Sequence, residues 1–228
     1  MRSRRDGRDR VAAVGTAVET LVGRGSCSRV AGPPEATAMA PPGWVPGDAG
    51  LLEGAPLRVL GLDPGSRTTG WGVVERRGTR CAALGSGCLR IASAGELSRR
   101  LPLLASAVDE LLEEYRPDLV AVETLFSGVN ARSAIVLAHA RGAILTVVGQ
   151  RGVDLHELAP AEVKRSVAGN GRADKQQMQR MVRLLLGIRG RLAADAADAL
   201  AVALCASQTA RHRALERGSS RGDAQWPR

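Results

Sequence analysis

At 228 residues the chain has room for one domain with a sizeable core, and aromatic residues supply only 2% of it, so that core must be Leu, Val, Ile and Ala. The formal net charge is +9 and the isoelectric point near 10.7, which favours a polyanionic partner and argues against an acidic ligand-binding surface. Residues 1–55 hold 7 Lys+Arg against 6 Asp+Glu and the remainder 25 against 17, so the basic excess belongs to the part that folds. The four cysteines, Cys27, Cys81, Cys88 and Cys205, lack metal-ligand spacing and read as free thiols in a reducing compartment. Nowhere do about eighteen strongly apolar residues run unbroken, so no membrane span is expected. The arginine-rich start has no convincing signal-peptide pattern, and a cytoplasmic location is the expectation.

Residues 1–55 mix Arg-Asp pairs with Pro33-Pro34, Pro41-Pro42 and Pro46-Gly47, and bury too little to offset chain entropy. They read as a disordered extension, with the folded domain at 56–210 and a charged, flexible tail at 211–228. Within the domain, Leu57–Asp63, Gly70–Arg76 and Arg80–Arg90 are apolar runs between turn residues, which predicts three antiparallel strands. A helix over Pro102–Tyr115 follows, with Leu104, Val108, Leu111 and Tyr115 as its buried stripe and Pro102 in its first turn. Asp118–Glu123 predicts a strand. Asn130–Val148 predicts a helix apolar on almost every side, buried on two faces, with either a second subunit or another layer of the same subunit as its cover. The strand Val153–Leu158 and the short helix Pro160–Val167 come next. After the break at Ala168–Gly171 an amphipathic helix spans Ala173–Leu186, and an alanine-rich buried helix spans Leu192–Gln208. This order predicts an α/β fold: a mixed five-stranded sheet, three antiparallel strands then parallel ones, with helices on both faces.

Acids stand at the ends of these buried elements. Asp63 closes the first strand and Glu123 the fourth, while Asp195-Ala-Ala-Asp198 puts two carboxylates on one face near the start of the last helix. A lone Asp beside Pro64-Gly65 would be an ordinary turn cap. Two acids three residues apart on an apolar helix, with no side-chain partner in the surrounding alanines, ask for another reason. Four carboxylates sharing a small volume would raise one another's pKa, and hard divalent cations such as Mg²⁺ or Mn²⁺ resolve that conflict. Two ions roughly 3.5–4 Å apart suit phosphodiester hydrolysis. The residues thus make a case for a metal-dependent nuclease.

The segments Leu-Gly-Leu-Asp-Pro-Gly-Ser-Arg-Thr-Thr-Gly-Trp-Gly-Val, Leu-Gly-Ser-Gly-Cys, Ala-Val-Glu-Thr-Leu-Phe and Ala-Asp-Ala-Ala-Asp-Ala-Leu-Ala, in that order over Leu57–Ser207, resemble the RuvC Holliday-junction resolvases. The resemblance implies a ribonuclease-H-like fold, a homodimer, two Mg²⁺ per active site and paired cuts in opposed strands of four-way junction DNA. It also implies cooperation with the RuvA and RuvB branch-migration proteins and a preference for certain sequences at the cut. It maps the catalytic and metal-binding acids onto Asp63, Glu123, Asp195 and Asp198, with Asp63 between the two metals. It places DNA contacts at Phe126, Lys164 and Lys175. Phe126 is the chain's only Phe and suits a stacking platform, with a buried loop anchor as the alternative. The only two lysines flank the glycine break, and Arg132, Arg165, Arg172 and Arg180 either extend a phosphate track or are solvated. His139 is expected in the core; His156 and His212 have no metal partner at useful spacing. The extension before Leu57 departs from the family. Rival readings are an actin-like ATPase suggested by Asp-x-Gly-Ser-x-x-x-Gly, a nuclease for RNA–DNA hybrids, and a non-catalytic junction binder. The first lacks the second half-domain it requires.

Overall fold

The computed structural model describes residues 55–90, 95–124 and 131–220, with side-chain surroundings given for neither 131–132 nor 211–220. Its elements are β1 (Leu57–Asp63), β2 (Thr68–Arg77), β3 (Arg80–Arg90), α1 (Leu97–Tyr115) and β4 (Leu119–Glu123), followed by α2 (Ala131–Arg151), β5 (Asp154–Leu158), α3 (Pro160–Ala168), α4 (Lys175–Leu185) and α5 (Ala194–Ser220). The strands form one sheet in the order β3-β2-β1-β4-β5. The first three are antiparallel, and β4 and β5 run parallel to β1. The expected mixed sheet is therefore the one found.

Strand alternation divides the core in two. Leu60 and Leu62 of β1, Trp71 and Val73 of β2, and Val120 and Val122 of β4 point to one face, where α1 and α2 cover them. Trp71 is core there, its ring centroid 5.7 Å from that of Tyr115 at the end of α1. Val59, Val74, Leu119 and Ala121 point to the other face, under α3, α4 and above all α5. Along α5 every residue from Ala199 to Ser207 is buried. Its alanines let it lie close to the sheet, and two strand glycines make the contact closer still. A Cβ on Gly61 would stand 2.2 Å from the Ala199 carbonyl oxygen, and one on Gly70 would stand 2.0 Å from that of Asp195. Any residue but glycine would lift α5 off β1 and β2.

Three expectations need correction. Pro102 lies inside α1, which starts at Leu97, so the charged turn Ser98-Arg99-Arg100 is helical although it buries little. The apolar period marked only the buried part of that helix. The last helix continues beyond Gln208 to Ser220, into the segment read as a tail, because Arg and Glu there are good helix formers that a burial pattern does not register. His139, expected in the core, is exposed on the outer side of α2, where Ile135 is 57% exposed, and its Nδ1 lies 2.7 Å from the Ile135 carbonyl oxygen. Ser133–Arg151 is long and apolar enough to pass for a membrane span by length and composition alone. It is nonetheless a domain helix. Ala140, Ile144, Val147 and Val148 pack on the core, Arg141 pairs with Glu157 at 2.6 Å, and Arg151 pairs with Asp109 at 2.5 Å.

Candidate active site

The register of the sheet brings the first two acids together. β1 and β4 are parallel neighbours with Leu62 opposite Val122, so Asp63 and Glu123 are the next residues along at the C-terminal ends of adjacent strands. Both follow the Gly61/Ala121 parity and face α5. The β1–β2 turn that carries Asp63 is clamped from α1, where the Arg100 guanidinium donates to the Ser66 carbonyl oxygen. Beyond Glu123, the Thr124 N–H donates to the Leu158 carbonyl at 2.8 Å and ties the end of β4 to β5.

The other two acids arrive through α5. Its first turn rests on Gly70, the residue paired with Asp63 in the β1–β2 ladder, so Asp195 is delivered to the end of β1 by backbone contact. Asp198, one turn on, sits on the same side and is half-buried. The alanine neighbourhood of Asp198 suggested that it had no partner. In the fold it has one: Lys175, the first residue of α4, places Nζ 3.2 Å from Asp198 Oδ2. Asp174 caps α4, its Oδ1 accepting from the Gln177 N–H at 2.8 Å, which holds the helix start and Lys175 in place.

The electrostatics record this convergence. Burial pushes the Asp63 carboxyl up to about 7, and the negative charges of Glu123, Asp198 and Asp195 push in the same direction against the opposing pull of Lys175. Glu123 is raised by burial and by Asp198, with Lys164 opposing. Burial also raises Asp198, against the two lysines. Lys175 is raised by Asp198 first, then by Asp195 and Asp63. Lys164, half-buried on α3, therefore acts on Glu123 and Asp198, and Lys175 on Asp63 and Asp198.

This donor set fits hard divalent cations. It is all oxygen, half-buried and mutually repelling, and two ammonium groups offset only part of its charge. Among the described residues no three acids stand close enough to enclose an ion as they are, so an ion bound here would draw the carboxylates in. Phe126 and the 125–130 loop lie outside the described residues, as do Cys27 and the side chains of Arg132 and His212. Arg165, Arg172 and Arg180 are solvent-exposed, and Cys81, Cys88 and Cys205 are free thiols. Reading the sequence missed the Lys175–Asp198 pair, the Arg100 clamp and the two glycines that admit α5. Only the glycines left a trace in the chain, as gaps at alternate positions of apolar strands.

Comparison with known proteins agrees with the fold. The family model described as crossover junction endodeoxyribonuclease RuvC matches residues 59–206. A protein of that description from Pseudoalteromonas atlantica is 46% identical over 151 residues, 66% of this chain and 87% of the relative. One from Halorhodospira halophila is 49% identical over 149 residues, covering 65% and 88%. Among solved structures, Thermus thermophilus RuvC in complex with a Holliday junction substrate superposes with a TM-score of 0.65 at 32% identity, over 68% of this chain and 96% of that one. The yeast mitochondrial resolvase Ydc2 shares the fold at 14% identity, with a TM-score of 0.51.

Proposed function

Since the chain belongs to the RuvC family of crossover junction endodeoxyribonucleases, we propose that it is a structure-selective nuclease that cuts two opposed strands of a four-way DNA junction by phosphodiester hydrolysis. Recombination and DNA repair in the cytoplasm are the processes such cuts serve. The observation that carries the reading is the meeting of four carboxylates, from two parallel strand ends and one helix start, in a basic domain with two lysines beside them.

Asp63, Glu123, Asp195 and Asp198 are the proposed catalytic and metal-binding residues, and Mg²⁺, two per site with Mn²⁺ able to substitute, is the proposed cofactor. Once bound, such ions supply Lewis acidity at the phosphate and a nucleophilic water near neutral pH. The protein's own part is to hold the acids on rigid elements. Asp63 stands centrally, with Glu123 on one side and the α5 pair on the other. Lys164 and Lys175 meet the scissile phosphate and its neighbours as compact point charges, and Phe126 engages the junction's bases.

A two-fold homodimer suits a substrate with symmetric strands. The outer side of α2, where Ile135, Ala138, His139 and Gly142 are exposed, is the proposed interface. RuvA and RuvB are the proposed partners, the nuclease domain being 56–210.

The test uses a synthetic junction with Mg²⁺ or EDTA, beside Asp63→Asn. Paired nicks lost in EDTA and in the variant, with binding intact, establish the reading. Binding without cutting by either protein leaves only a junction binder.

A further inference from the structure

An open groove of about 550 Å³ lies apart from the four acids, none of which lines it. It runs along the outer side of α4 and is closed by the segment that returns to α5. Gln176 opens it, directly after Lys175, and Leu192 ends it, three residues before Asp195. Arg180, Arg183 and Arg189 line it, all exposed, and no acidic residue does. The three arginines take part in no ion pair among the described residues, whereas Arg58, Arg77, Arg141 and Arg151 do. Between the arginines stand Leu184, 71% exposed, and Ile188.

We propose that this groove carries a junction arm away from the active site, holding one sugar–phosphate backbone with Arg180, Arg183 and Arg189 on successive phosphates. The proposal rests on the nuclease reading above and adds the path of the substrate. Two features favour DNA as the occupant. The unpaired guanidiniums match an anionic line, and the groove lies along the same helix whose first residue, Lys175, pairs with Asp198. The apolar positions suit deoxyribose, whose faces alternate with the phosphates. The length agrees as well. From Lys175 to Arg183 α4 rises roughly 12 Å at 1.5 Å per residue, which is three to four base steps at about 3.4 Å each. The helix thereby extends the grip from the scissile phosphate into the duplex arm. These contacts reach no base edge from their side, so they strengthen binding without choosing sequence.

The experiment measures binding of an immobile four-way junction by fluorescence anisotropy in EDTA between about 0.05 and 0.3 M salt. It compares the full chain with an Arg180→Gln, Arg183→Gln, Arg189→Gln triple variant and with the Arg→Lys triple. The glutamine triple is expected to lose at least about tenfold in affinity near 0.1 M salt, equally for junctions of different sequence, and its log K–log salt slope should fall by roughly one per arginine. The lysine triple should keep most of both, and thermal melting of each variant reads its folding independently. An unchanged slope and affinity in a folded glutamine triple overturns the track and leaves the groove to a protein partner. If the unaltered chain fails to prefer junction over duplex, the nuclease reading itself fails, a result distinguishable from the first.

Discussion

Asp63 shows what the fold costs at single residues. Its carboxyl, raised from 3.8 to about 7, binds a proton in the folded protein over a window where the unfolded chain has released it. The Asp63 contribution to the stability of the ion-free protein is therefore full below about pH 4 and is lost as pH rises to about 7. The loss is on the order of 4 kcal/mol for a shift of that size, and the raised Glu123 and Asp198 carboxyls act in the same direction. Thermal melts in EDTA should accordingly show a lower Tm at pH 8 than at pH 6, and Asp63→Asn should remove much of that difference. Added Mg²⁺ should raise Tm more at pH 8, where the carboxylates are free to accept it. Equal gains at both pH values would contradict this account. Lys175 offsets the same charge from the other side. Lys175→Met should strengthen Mn²⁺ binding to the DNA-free protein several-fold, read by calorimetry, because a competing cation is gone. It should also slow junction cleavage at least tenfold, because a phosphate contact has gone with it.

Between elements, the decisive contact is α5 on the β1–β2 ladder. Leu200, Leu204 and the alanines around them supply the apolar burial, but Gly61 and Gly70 set how near the helix comes. Gly61→Ala places a methyl against the Ala199 carbonyl, a backbone atom that cannot turn aside. It should cost about 3 kcal/mol, seen as a fall in chemical-denaturation midpoint. Gly70→Ala pushes on Asp195 itself. Cleavage should fall by a larger factor than the loss of folded protein explains, with junction binding retained, since the displaced group belongs to the proposed catalytic set and not to the proposed DNA contacts. Arg100 works at a similar level, tying α1 to the hairpin that presents Asp63.

At the scale of the whole molecule the two sheet faces have separate tasks. One face, under α3, α4 and α5, carries the acids, the lysines and the arginine groove. The opposite face, under α1 and α2, ends in a helix whose outer side is left uncovered among the described residues. If that side joins two subunits, Ile135→Asp should yield a monomer in analytical ultracentrifugation and turn paired cuts into uncoupled single nicks. A dimer that persists would place the interface elsewhere.

The amino-acid order by itself determined the strands, the sheet's mixed character and the four acids, because those depend on local alternation and on charges that end apolar runs. Asp63 and Glu123 could be singled out for that reason, and the ordered segments around them carried the family resemblance. Helix limits were less legible. The turn before Pro102 is helical while burying little and the last helix runs on past Gln208, and periodicity reports only burial. What the tertiary structure alone decided was proximity. Asp198 is paired because α4 starts beside it. α5 reaches the end of β1 because two glycines present no Cβ, and three separated arginines line one groove because the chain folds back after α4. Distances between residues far apart in the chain are set by packing, which is a property of the whole core and not of any one segment.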